Sequence, residues 1–209
     1  MADWVTISAL ATAGGTLALA GATFVSVRSS HASTRVTERA LLAAIRPLLL
    51  TPKLDDPPQK VRFVDDHATL LAPNRALADV GDDAIYLAFG VRNAGSGLAV
   101  LDRWRYVGMS AEGEPELDLS GYHRLTRDLY VPAGDGGFWQ GAFRDPRAPE
   151  FGRARDAITA REPLTIDVLY GDHEGGQRTL SRFVLNPIDT GEWYAQVVRH
   201  WSVDRPDPR

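Results

Sequence analysis

The stretch LTIDVLYGDHEGGQRTLSRFVL, Leu164–Leu185, decides the fold. Leu164, Ile166, Val168 and Tyr170 recur at every second position, the spacing that puts side chains on one face of a β-strand. Gly171–Gly176 then supplies a turn and Arg178–Leu185 returns, which predicts a hairpin. A second alternating run, Ile85, Leu87, Phe89 and Val91, predicts a half-buried strand. Asn93-Ala94-Gly95-Ser96-Gly97 ends that run as a turn, and Leu98–Val107 follows as its partner strand. Further strands fit Val61–Val64, Arg124–Val131, Phe138–Phe143 and Trp193–Trp201. One interruption, Pro149–Arg161, carries Phe151, Ala154 and Ile158 at helical spacing. Together these predict a mainly β domain over residues 61–203: an antiparallel, immunoglobulin-like β-sandwich or small barrel with one inserted helix.

Toward the N-terminus the pattern changes. Trp4–Val27 holds 24 residues without a charge. As a helix this run is about 36 Å long, against a hydrocarbon core of about 30 Å. Residues 1–27 are therefore read as a transmembrane helix, and residues 28–46 as a helical stalk stopped by Pro47. Arg28, Arg35, Arg39 and Arg46 fall near one helical line, an arginine stripe suited to anionic lipid headgroups. Arginine beyond the span, with none before it, places the domain on the cytoplasmic side of the plasma membrane. Gly14, Ala18 and Ala22 share another line, where small residues let two copies of a span approach closely. Residues 47–60, with Pro52, Pro57 and Pro58, form a linker or first strand, and residues 204–209 a frayed tail. A fragment starting near Lys53 is expected to fold on its own.

Composition excludes several kinds of chemistry. The 209 residues suffice for one domain plus an anchor. With no cysteine, disulfides, thiolate metal sites and thiol nucleophiles are out. The net charge of −4 is uneven: residues 1–62 are basic, so the rest carries the acidic excess. An acidic main domain argues against nucleic-acid binding, which needs a basic surface.

Motifs for catalysis are missing. Gly95-Ser96-Gly97 begins like a dinucleotide fingerprint but has Val100 at the third glycine position. No P-loop, GxSxG elbow or HExxH occurs. Asp172-His173-Glu174 and Asp65-Asp66-His67 combine metal-binding residue types, but neighbours in a strand or turn point apart. His123 and His200 stand isolated, and Gly134, Gly136 and Gly137 read as a turn feeding a core strand at Phe138-Trp139.

The chain resembles a family of membrane-tethered actinobacterial β-domain proteins. The resemblance rests on ERALLAAIRPLLL (38–50), LAFGVRNAGSGLAVL (87–101), RDLYVPAGDGGFWQGAF (127–143), LYGDHEGGQRTLSRF (169–183) and RHWSVDRPDPR (199–209). It implies the tethered architecture and no known activity, cofactor or catalytic residue. The Arg-Asn-x-Gly-x-Gly turn also resembles turns of bacterial immunoglobulin-like sandwiches. The expected function is a non-enzymatic interaction or regulatory module, without cofactor, whose partners are membrane lipid, a second copy through the span, and an unidentified protein. The alternatives are a ligand-sensing effector that controls association of the spans, and a metal-dependent hydrolase built on the Asp172–Glu174 turn.

Overall fold

The computed structural model describes residues 3–109, 112–115 and 118–204. The chain divides into two units, Met1–Ala44 and Ile45–Arg209.

The first unit is one helix, α1 (Trp4–Ala44), of 41 residues. Its rise of about 1.5 Å per residue makes it about 62 Å long. It runs without a break through Ser29, Ser30 and Ser33. It ends at Ala44, two residues before the expected stop, so Arg46 lies outside the helix and off the stripe. Within it, Ile7–Ser30 is 24 residues long with a mean hydropathy of 1.5, long and apolar enough to cross a membrane. The hydroxyls of Thr12, Thr16 and Thr23 donate to the carbonyls of Ser8, Thr12 and Leu19 at 2.9, 2.8 and 2.8 Å. Each thus finds its acceptor inside the helix.

The second unit is mainly β. Its strands are β1 (Leu49–Leu50), β2 (Gln59–Arg62), β3 (Ala68–Leu71), β4 (Arg75–Val80), β5 (Ile85–Asn93) and β6 (Ala99–Gly108). After a 3-10 turn, Leu119–Gly121, come β7 (His123–Val131) and β8 (Gly136–Phe143). Helix α2 (Pro149–Thr159) precedes β9 (Leu164–Gly171), β10 (Thr179–Pro187) and β11 (Trp193–Ser202). Nine strands form one antiparallel sheet, ordered β1-β5-β4-β11-β10-β9-β6-β7, with β8 also on β5. β2 and β3 make a separate hairpin.

The large sheet curls into an open half-barrel. Its edge strands β7 and β8 are neighbours in sequence, yet no ladder joins them among the described residues. A side-chain bond from Arg127 Nη2 to Gln140 Oε1, 3.0 Å, crosses between them. Aromatic rings fill the interior: Phe89 lies 4.7 Å from Trp139 and 4.6 Å from Phe183, and Trp104 lies 5.3 Å from Trp139. Ring pairs at these distances add to the burial of 150–250 Å² that each such side chain typically contributes, by about 0.5–1.5 kcal/mol per pair.

Two features depart from the sequence expectation. β5 and β6 do not pair with each other, because the loop between them is occupied by the chain entering the domain. Ala94 N donates to Leu48 O (2.8 Å) and Ser96 N to Arg46 O (3.2 Å). A Cβ on Gly97 would stand 1.8 Å from Ile45 O, and one on Gly95 2.3 Å from Arg46 O. These glycines are therefore required for close approach rather than for a hairpin turn. Secondly, β5 is not half-buried. Val61, Phe63 and Leu71 of the β2–β3 hairpin cover its outer face at Ala88.

Candidate functional site

Three local constructions in the β domain bring polar chemistry together. The first is a latch at Asn93, fully buried at the end of β5. Its Oδ1 accepts from Leu48 N (3.1 Å) and Gly95 N (2.9 Å). Its Nδ2 donates to Gly97 O (2.7 Å) and Val131 O (2.9 Å). Its backbone N donates to Asp135 O, and its carbonyl accepts from Gly134 N. One side-chain amide with all four valences filled thus ties together the residue before β1, the loop after β5 and the end of β7, and the Asn93 backbone adds the turn before β8.

Beside it a hydrogen-bond chain links four strands, β1, β9, β10 and β11. Leu49 N donates to Tyr170 Oη (3.1 Å), Tyr170 Oη lies 2.9 Å from Ser181 Oγ, and Ser181 Oγ lies 2.6 Å from His200 Nδ1. Burial raises the Tyr170 phenol well above its ordinary value, and the bonds from Ser181 and Leu49 offset part of that rise. Ser181 is fully buried and bonded on both sides, so its hydroxyl is closed to a substrate. His200, expected to be isolated, is part of this chain. His123 is not isolated either: Nε2 stands 2.8 Å from Glu150 Oε2 at the start of α2, and the ring packs 4.8 Å from Trp104.

On the outer face of the central strands, Arg182 and Asp167 form a buried pair, each 2% exposed. Arg182 Nε and Nη2 donate to the two carboxylate oxygens at 2.7 and 2.8 Å. Nη1 donates to Gly113 O at 3.0 Å, and the guanidinium lies 5.0 Å from the Trp201 ring centre. Leu169 of the same face packs with Tyr122, Leu180 and Trp201, so β9, which reads as simply alternating, is buried on both faces.

The surface carries a cleft of about 360 Å³ between β3, β4, the end of α2 and the loop before β11. Leu71, Leu77, Ile158 and Trp193 supply apolar walls; Arg75, Asp79 and Glu192 supply charge. Arg161 frames one side. Its backbone takes the left-handed conformation (φ 56°) just past α2. Its guanidinium donates to the carbonyls of Gly191 (2.8 Å), Ile188 (2.9 Å) and Glu192 (2.9 Å) and stacks 4.7 Å from the Trp193 ring centre. These bonds outweigh the strain of about 1–2 kcal/mol that a non-glycine residue bears there. Nothing in the sequence separates Arg161 from the other surface arginines.

The singled-out motifs disperse. Asp172 Oδ1 accepts from Glu174 N (3.0 Å) and Gly176 N (2.9 Å), so it shapes its own turn. Asp65 accepts from Tyr86 Oη (2.8 Å), Asp66 pairs with Arg62, and His67 stacks on Tyr86 at 4.1 Å. Burial works to raise the Asp65 carboxyl, but the Tyr86 hydroxyl, its own backbone amide and Arg144 together hold it below its ordinary value. Among the described residues no group of three or more His, Asp or Glu is placed to hold a metal ion. Trp139 lies in the core, as a strand-feeding turn implies. Asp204, assigned to the tail, is instead tied down by Arg178 at 2.7 Å.

Arg28 is exposed on α1, and the side chains of Arg35, Arg39 and Ala18 lie outside the described ones. Ala22 is exposed too, and a Cβ on Gly14 would meet nothing within 4 Å.

No family model matches the sequence, and no curated protein matches it. Among solved structures the chain is similar, at 11% identity and a TM-score of 0.23, to a β-glucosidase from Kluyveromyces marxianus, with 61% of this chain covered. The chain spans 14% of that protein. A likeness of that size bears on neither fold nor activity.

Proposed function

We propose that the protein is a membrane-tethered, non-enzymatic interaction or regulatory module of the actinobacterial kind its sequence resembles. The observation that carries this reading is the Ile7–Ser30 segment, whose window of greatest hydropathy has no residue buried in protein. Leu17, Leu19, Phe24 and Val25 are all exposed along it. Burying such apolar side chains in lipid removes the cost that water imposes on them. Arg28, at the C-terminal end of that segment, and the arginines after it orient the domain to the cytoplasmic side.

The cysteine-free chain makes the topology directly testable. With a single cysteine at His173→Cys, exposed in the β9–β10 turn, a membrane-impermeant maleimide should label only permeabilised cells. Labelling of intact cells would place the domain outside. For the binding role, crosslinking in native membranes should trap a protein partner near stoichiometrically. Loss of that partner on Leu77→Arg, at the cleft wall, would place it there.

The cleft favours a second reading, a ligand sensor that controls association of spans through the Gly14 line. A ligand that raises the melting temperature and shifts the chain from monomer to dimer in detergent would favour it.

A further inference from the structure

We infer that the outer face of the β2–β3 hairpin is a docking surface for an anionic lipid bilayer. This inference rests on the membrane-tether reading. Alternation along the hairpin sends Val61, Phe63 and Leu71 inward, where they cover β5. The opposite face presents Lys60, Arg62, Val64, Ala68, Leu70 and Ala72, all exposed. Lys60 stands directly across from Leu70 and Arg62 from Ala68.

A face turned to water is normally polar. Here four of six positions are apolar, and none is a carboxylate. Outside α1, the three most exposed large apolar side chains described are Leu54 (84%), Leu70 (68%) and Val64 (65%), and all three lie on this hairpin or the turn before it. Exposed apolar residues interleaved with basic ones match the headgroup boundary of a bilayer, where the former enter and the latter meet lipid phosphate.

The face itself carries Lys60 and Arg62, while Asp55, Asp56, Asp65 and Asp66 lie in the turns that flank the hairpin. Asp66 pairs with Arg62, and Asp65 accepts from Tyr86 and pairs with Arg144, so the attraction of this face for an anionic surface rests on Lys60. Lys60 has no ion pair among the described residues, and each such lysine near an anionic surface is worth about fivefold in binding, about 1 kcal/mol.

The test uses the full chain in lipid nanodiscs, neutral or anionic, with a solvent-sensitive fluorophore on Ala68→Cys and a control label on His173→Cys. In anionic discs the label at position 68 should shift to the blue and be quenched by brominated lipid. About 0.5 M salt should reverse this, and Lys60→Gln should lower the docked-to-free ratio about fivefold. Leu70→Ser should lower it further, with the control label unmoved throughout. A label at position 68 that behaves like the control in anionic discs overturns the inference. So does a blue shift that grows with the number of chains per disc regardless of lipid charge, which would assign the face to a second copy. A chain that elutes apart from both kinds of disc overturns the tether, and the docked face with it.

Discussion

Replacing Asn93 with alanine removes one amide and strands four backbone groups. Gly97 O and Val131 O belong to buried residues, and each loses its side-chain donor. Leu48 N and Gly95 N are part-buried and lose their acceptor. Stranding a buried carbonyl costs about 1–3 kcal/mol and losing an ordinary bond about 1 kcal/mol. The total is about 4 kcal/mol or more, against a typical domain stability of about 5–15 kcal/mol. Urea denaturation of residues 45–209, followed by tryptophan fluorescence, should therefore show a midpoint that falls steeply at unchanged slope. Asn93→Asp should fare no better, because a carboxylate keeps both acceptors but sets negative charge against two carbonyls. Ser96→Ala, in the same loop but exposed and bonded through its backbone, should stay within about 0.5 kcal/mol. A loss below about 1 kcal/mol for Asn93→Ala would refute the latch as a structural keystone.

Asp167→Asn removes the carboxylate that accepts from both Nε and Nη2 of the buried Arg182 and should cost about 3–5 kcal/mol by the same denaturation, whereas replacing both partners with apolar residues should cost less. Gly97→Ala drives a methyl into the Ile45 carbonyl and should reach the upper end of the overpacking range, about 3 kcal/mol. Because the Asp65 carboxyl is held below its ordinary value in the fold, it stabilises the domain above the unfolded carboxylate pKa and loses that contribution as pH falls through its lowered folded value. Tyr86→Phe should therefore raise the Asp65 titration midpoint in a carboxyl NMR titration and flatten the acid limb of stability. A fragment beginning at Ile45 should fold cooperatively. One beginning at Lys53 lacks fully buried Leu49 and the groups that Asn93 and Tyr170 hold, and should melt markedly lower.

The strands were largely legible because the face turned to the main core takes large apolar residues at every second position. Leu164–Tyr170 and its return strand pair residue for residue, Tyr170 with Thr179 and Leu164 with Leu185. Periodicity says nothing of which strands meet. The loop Asn93–Gly97 has a hairpin's composition, yet its glycines serve a backbone contact with residues 45–48, some fifty positions earlier. β4 escaped notice because Arg75-Ala76-Leu77-Ala78-Asp79-Val80 mixes charge and alanine; it is a strand through its pairing with β5 rather than by propensity. The cleft was illegible for a similar reason. Arg161, Glu192 and Leu77 converge only through long-range packing, and no local signal marks an arginine whose Nη1 and Nη2 donate to backbone carbonyls. The helix was legible in kind but extended differently at its end, since Ile45 and Pro47 are claimed by the β domain.

The tether is tested most directly by alkaline carbonate extraction of membranes containing the full chain, with intact mass read from the pellet. The chain should stay in the pellet at its full mass of 22.8 kDa, Trp4–Val27 included, and leave it only in detergent. Recovery in the supernatant, or a shorter chain cleaved within α1, would contradict a membrane-anchored module.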